Sequence, residues 1–216
     1  MCQNTINMQD QKTLFENWAD SYEKYVLENQ HSFPFKGYSE LVDEIVKTIK
    51  PYSTILDLGI GTGYIAHKLY TEKKCQIYGI DLSEKMVAIS KNRMKEAHII
   101  QFDFDKYEDL DWRIFPKNIN YFIGTYFFHH YNDENKIKII DFLLNHVNPK
   151  AKIIIGDIGF QNHDLFIESK NRLAKEWDES EYYFDLESFK KFLEGKNLKF
   201  ESKIISEFCI YLEIWK

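Results

Sequence analysis

The sequence predicts an α/β protein built on a doubly wound, mostly parallel sheet. Five short apolar runs alternate with helical segments, two closely spaced strands end the chain, and a glycine-rich turn sits where the first apolar run gives way to a helix. Runs that are apolar at every position suit strands covered on both faces. Parallel neighbours in turn require crossover helices. With 216 residues, the chain has room for one domain and an appendage, at about 100–200 residues per domain.

The elements follow in order. From Gln9 to Asn29, Leu14, Phe15, Trp18, Tyr22, Tyr25 and Val26 recur at helical spacing and predict an amphipathic N-terminal helix. The stretch from His31 to Gly37 interrupts it, and Tyr38 to Lys50 predicts a second helix stopped by Pro51. Strands are predicted at 53–58, 75–80, 97–102, 119–123 and 152–156, with helices at 64–70, 83–95 and 133–146 between them. Ser83 and Asn132 are placed as helix N-caps. Helices at 164–177 and 185–194, the second closed by Gly195, precede strands at 198–205 and 208–215. Only Ser206-Glu207 joins those strands, which makes them antiparallel.

Composition excludes several classes. Hydrophobic residues at 44% and charged residues at 29% describe a globular chain. The net charge is −6, and only Arg93, Arg113 and Arg172 are arginines, which argues against a nucleic-acid binder. Cys2, Cys75 and Cys209 form no Cys-x-x-Cys pair, so neither a disulfide framework nor a metal cage is expected. The polar start from Met1 to Asp10 lacks a signal-peptide pattern and no apolar run is long enough for a membrane span, so a cytoplasmic location is expected.

Chemistry concentrates at Ile55-Leu56-Asp57-Leu58-Gly59-Ile60-Gly61-Thr62-Gly63-Tyr64. Glycines at alternate positions let backbone approach a ligand at the carboxyl end of a strand, where open α/β sheets bind ligands. A dinucleotide fingerprint would need its third glycine at position 64, but Tyr64 stands there and the glycine is Gly63. Asp57 just before the loop is also foreign to that fingerprint. Asp81 ends the second strand, 22 residues past Gly59, within reach of a ribose diol.

With these residues the segment Leu56 to Gly63 resembles motif I of class I S-adenosylmethionine (SAM) methyltransferases, and Asp81 matches their ribose-binding acid. Asp103-Phe104 matches the adenine position, and Gly124-Thr125-Tyr126-Phe127-Phe128-His129-His130 is similar to the loop that passes the methionine part of SAM. Phe15 to Tyr22, together with the paired histidines, most resembles the small YrrT-like methyltransferases. Asn120 stands where relatives often carry Asp, so the sequence has no carboxylate there. The resemblance implies a Rossmann-like seven-stranded sheet in the order 3-2-1-4-5-7-6, with the last strand antiparallel. It further implies SAM as cofactor, contacted by Trp18, Tyr22, Asp57, Gly59, Gly61, Gly63, Asp81, Leu82, Met86, Asp103, Phe104, Gly124 and Thr125.

The methyl of SAM is already activated, so alignment of an acceptor supplies much of the catalysis and a base is needed only where the acceptor holds a proton. His129 and His130 are the candidates for that base. Residues 1–37 are expected to cap the methyltransferase domain at 38–216, with Phe33 to Gly37 as the point of movement. Pro34, Pro51, Pro116 and Pro149 are isolated and no Pro-Cys pair occurs, so neither signature of base-methylating enzymes is present and a small-molecule acceptor is expected. A nicotinamide dehydrogenase and a non-catalytic SAM or nucleotide sensor are the alternative readings.

Overall fold

The computed structural model describes residue 13 and residues 15–216. Among these the order is α1 (Tyr22–Glu28), α2 (Tyr38–Thr48), β1 (Thr54–Leu58), α3 (Tyr64–Lys73), β2 (Gln76–Asp81), α4 (Glu84–Arg93), β3 (His98–Gln101), β4 (Tyr121–Thr125) and α5 (Asp133–Phe142), then β5 (Lys152–Phe160), α6 (His163–Leu173), β6 (Phe184–Asp185), α7 (Leu186–Gly195), β7 (Lys199–Ser206) and β8 (Cys209–Trp215). The main path of the sheet runs β3-β2-β1-β4-β5-β8-β7, and the two-residue β6 pairs with β5 at its carboxyl end. Counting only the long strands, this is the expected order 3-2-1-4-5-7-6. Strands β1 to β5 pair in parallel and β8 runs antiparallel to both β5 and β7.

Alternation inside the apolar strands builds a core on each face of the sheet. Leu56, Phe122, Ile153, Ile155 and Leu212 join α5 and α7 in one cluster. Ile55, Tyr121, Ile123, Ile154 and Tyr211 join α2 and α3 in the other. The amphipathic α2 buries Tyr38, Leu41, Val42 and Ile45 on its sheet-facing side. A third cluster of Phe33, Phe160, Trp177, Tyr183 and Phe208 closes the carboxyl end of β5.

Local differences from the expected elements have physical reasons. Strand β5 continues to Phe160 because Gly159 and Phe160 find a further partner in β6. The tight connection of β7 and β8 falls at Glu207-Phe208, with a register shift between Ile204 and Ser206 that moves the turn by a residue. The helix expected to begin at Gln9 has its start outside the described residues. Within them the helical backbone stops at Trp18 and resumes at Tyr22. The break is closed by backbone bonds from Ala19 to Phe15 (3.0 Å) and from Ser21 to Trp18 (3.0 Å). The stretch expected to serve as a hinge is anchored: Phe33 and Phe35 are buried and the Lys36 ammonium meets Glu207 at 2.9 Å.

Candidate active site

A cavity of about 940 Å³ opens at the carboxyl ends of β1, β2 and β4. The turn after β1 forms its floor. Gly61 has φ +57° and the space where a Cβ would stand meets only the Gly59 carbonyl at 4.0 Å, so the backbone here is bare to the cavity. The amides of Gly59 and Ile60 donate to the Ile80 carbonyl at 2.8 and 3.0 Å, holding the loop against β2.

Two carboxylates flank this loop. Asp81 accepts from the Gly61 amide at 2.7 Å and from the Ser83 amide at 2.9 Å, tying the glycine turn to the start of α4. Burial lifts its pKa to about 6, against the lowering pull of amides from Ser83, Gly61 and Leu82. Asp57 is 3% exposed and its Oδ1 has no hydrogen-bond partner among the described residues. Burial, and secondarily the charge of Asp81, push its pKa well above the ordinary carboxylate range. An unpaired carboxylate oxygen on a cavity wall is a seat for an N–H or cationic donor.

The side wall comes from α4 and the segment after β3. Leu82 and Met86 line it, with Met86 placed by the Ser83 hydroxyl, which accepts from its amide at 3.1 Å. Asp103 caps the following 3-10 turn by accepting from the Asp105 amide at 3.2 Å and pairs with Lys106 at 3.0 Å. Phe104 is buried beside the wall, stacked on Tyr107 with ring centroids 5.6 Å apart and edge-on to Phe127 at 5.3 Å.

The N-terminal segment lies across the opening. Phe15 and Tyr22 line the cavity. Glu16 accepts from the amides of Glu84 (2.7 Å) and Lys85 (3.3 Å), where the N-terminus of α4 favours a negative charge. Asp20 pairs with Lys85 at 2.6 Å and Glu23 with Arg93 at 2.7 Å. Burial and the charges of Asp81, Asp157 and Glu181 keep the Tyr22 phenol protonated.

Thr125 lines the cavity at the end of β4, and the turn that follows hangs on one buried carboxylate. Asp157, fully buried on β5, accepts through Oδ2 from the amides of Phe127, Phe128 and His129 at 3.2, 2.7 and 3.2 Å. Its Oδ1 accepts from the Ile158 amide at 2.7 Å and faces His129 Nδ1 at 2.6 Å. Burial opposes its charge, but His129, the amide bonds and Lys136 outweigh that and hold the pKa low. Burial likewise lowers the pKa of His129, and Asp157 and Glu181 more than reverse it. His130 is uncharged: burial and its neighbour His129 bring it to about 3.

The structure gathers most of the expected residues on this one wall, and it sorts four of them elsewhere. Trp18 packs edge-on against Tyr22 (5.0 Å) and Tyr25 (5.2 Å) and does not line the cavity, whereas Phe15 does. Gly63 and Gly124 sit behind the wall, where a Cβ would strike Met94 at 2.9 Å and the Phe128 ring at 2.6 Å. His130 is on the wall and His129 lies behind it on Asp157. Asn120 serves the sheet, accepting from the Thr54 amide at 2.7 Å.

Sequence reasoning missed Asp157, whose signal is a lone carboxylate in the apolar run Ile153 to Ile158, and Glu181, 3.6 Å from His129 Nε2. It also gave no lining role to Tyr64, which stands on the cavity wall.

A glycine turn, an acid ending β2 and a cavity at the carboxyl edge define a nucleotide-cofactor site on an open α/β sheet. Residues 55–150 match a methyltransferase-domain family model. The chain is 31% identical over 156 residues to an uncharacterized methyltransferase of Bacillus cytotoxicus, covering 71% of this chain and 69% of the relative. It is 30% identical over the same shares to another from Bacillus mycoides. Among solved structures it is similar to the DhpI–SAM–HEP complex, with TM-score 0.69, 13% identity and full coverage of both chains. It is also similar to the magnesium protoporphyrin IX methyltransferase of Synechocystis with bound S-adenosylhomocysteine, with TM-score 0.63, 15% identity and coverage of 95% and 100%. The chain belongs to the class I SAM-dependent methyltransferases, and its cofactor is SAM. The residues fit that cofactor: Gly61 leaves bare backbone on the floor and Asp57 presents an unpaired acceptor.

Proposed function

We propose that this enzyme methylates a small-molecule acceptor admitted to the far end of the same cavity. One observation supports this above others. The cavity runs without interruption from Asp57 and Gly61 past Thr125 to His130, Tyr131, Asn135 and Tyr182, and at about 940 Å³ it is at the upper end of small-ligand sites. That is room for the cofactor and a modest second molecule.

SAM, when bound, supplies a methyl group activated on a sulfonium sulfur. The protein's part is to hold and orient. Asp81 would accept from the ribose hydroxyls, Asp103 and Phe104 would flank the adenine, and the bare backbone at Gly61 with Asp57 would hold the amino-acid end. Leu82, Met86 and Thr125 complete the wall, and Tyr22 with Phe15 excludes water from above. The paired histidines bear on the acceptor: His130 faces it, and Asp157 fixes the ring of His129 by its Nδ1 at 2.6 Å so that Nε2 points toward Glu181. No helix among the described residues is long and apolar enough to cross a membrane, and the −6 net charge suits a small molecule better than a polyanion.

The test is a panel of small hydroxyl, thiol, amine and carboxylate compounds incubated with enzyme and labelled SAM, with methylated product detected by mass. His130→Ala is expected to lower turnover of the productive acceptor while S-adenosylhomocysteine affinity stays within about threefold. Methylation confined to RNA, DNA or protein fractions would overturn the proposal.

A further inference from the structure

The acceptor end of the cavity carries a cluster that SAM does not need. His129 and His130, on the turn after β4, and Glu181, on the segment leading into β6, each offer one ligating atom, and the three atoms lie within 4.8 Å of one another. We propose that these side chains bind a divalent transition-metal ion which in turn holds an oxygen of the acceptor. The second half rests on the cavity being the seat of methyl transfer to a small molecule.

The donor chemistry selects the ion. Two imidazoles and one carboxylate suit zinc, iron, cobalt, nickel or manganese, whereas magnesium and calcium prefer all-oxygen shells. Three protein ligands leave a coordination position open, as catalytic rather than structural metal sites do. The ligand that faces the cavity is His130, and Ser180 and Tyr182 on either side of Glu181 line it as well.

The surroundings are those of a built site. Metal-ligating histidines commonly give their second nitrogen to a carboxylate, and His129 Nδ1 stands 2.6 Å from the fully buried Asp157, leaving Nε2 to face Glu181 at 3.6 Å. The two segments are locked to each other: the Tyr182 amide donates to the His129 carbonyl at 2.7 Å and the Lys136 ammonium to the Tyr182 carbonyl at 2.7 Å. His130 Nδ1 is buried with no hydrogen-bond partner among the described residues, which is costly unless something else engages the ring. Asp157 and Glu181 set two carboxylates about the imidazoles, while the nearby Lys136 is already paired with Asp133 at 2.8 Å. An acceptor hydroxyl on a cation here would release its proton to water more readily, because the ion stabilises the oxyanion left behind.

The experiment uses untagged full-length protein stripped with a chelator. Cobalt(II) is titrated while its visible d–d absorption is followed, and zinc(II) is titrated by calorimetry. One ion per chain is expected, with zinc displacing cobalt. Glu181→Gln and His130→Ala should each weaken binding roughly tenfold or more, and Asp157→Asn by about 10-fold or more through the orientation of His129. S-adenosylhomocysteine affinity, measured on the same samples, should stay within a few fold. If His130→Ala fails to fold by circular dichroism, Glu181→Gln, on a partly exposed side chain, decides alone. Wild type that binds S-adenosylhomocysteine but neither ion overturns the metal site and leaves the methyltransferase reading standing. Ion binding that is equal in wild type and Glu181→Gln places the ion elsewhere and also overturns it.

Discussion

The burial of Asp81 and its service to the ribose have pH dependences that run in opposite directions. In the free protein Asp81 ties Gly61 to Ser83, and burial raises its pKa from an ordinary carboxylate value to about 6. A raised carboxyl contributes stability that is complete below the unfolded pKa and is lost as pH rises through about 6. Ribose binding needs the charged acceptor, so S-adenosylhomocysteine affinity should fall as pH drops from 7.5 to 5. In Asp81→Asn calorimetry should show that pH slope flattened and affinity reduced by one to two decades, the worth of a charge-assisted hydrogen bond at about 1.5–3 kcal/mol. A slope unchanged in the variant would assign it to another group. Gly61→Val differs in kind: its side chain would enter the cavity from a left-handed backbone, so binding should vanish while the far-ultraviolet dichroism of the fold persists.

At the scale of elements, two pieces deserve separate tests. The turn 127–129 depends on Asp157, which satisfies three consecutive amides with one oxygen. Asp157→Ala leaves those donors and the His129 ring buried without their partner, and urea unfolding should record a loss of about 3–5 kcal/mol. A loss under 1 kcal/mol would mean that the turn is held by its aromatic packing. The N-terminal segment is the other piece. Its grip on α4 is made by carboxylates of Glu16, Asp20 and Glu23, which are partly or largely exposed, whereas Phe33 and Phe35 are buried. Movement of a lid would therefore occur before Phe33. Hydrogen exchange should show residues 15–31 gaining protection when S-adenosylhomocysteine binds, with 33–38 little changed. Unchanged exchange at 15–31 beside clear protection at 59–63 would make the segment a permanent strut.

For the molecule as a whole, cofactor binding and folding are linked, because the cavity is assembled from β1, β2, β4, α4 and the N-terminal segment together. A ligand at 100 times its Kd adds about 2.7 kcal/mol to stability. For a chain of this size that corresponds to a rise of roughly 5–10 °C in Tm. S-adenosylhomocysteine should produce it in a thermal melt, and NAD at equal concentration should not, since the glycine spacing here departs from a dinucleotide turn at Tyr64. Equal shifts for both would reopen the dehydrogenase reading.

The sheet and its cofactor edge were legible in the amino-acid order because their signals are local. Uniformly apolar runs mark strands buried on both faces, and Gly59 and Gly61 mark a turn whose backbone dihedrals side chains rarely adopt. Of the acceptor end only the paired histidines were legible, for a physical reason: the remaining parts act through pairings that no periodicity encodes. Asp157 reaches back 28 residues to His129, and Glu181 arrives from a segment without regular structure. Adjacent histidines look alike in a sequence, yet folding puts His130 on the cavity wall and His129 behind it. The aromatic face of the N-terminal segment was visible too. Whether Phe15 or Trp18 lines the cavity was decided only by tertiary packing, which seats Trp18 on Tyr22 and Tyr25, because residues three apart share one helix face and their spacing cannot tell them apart.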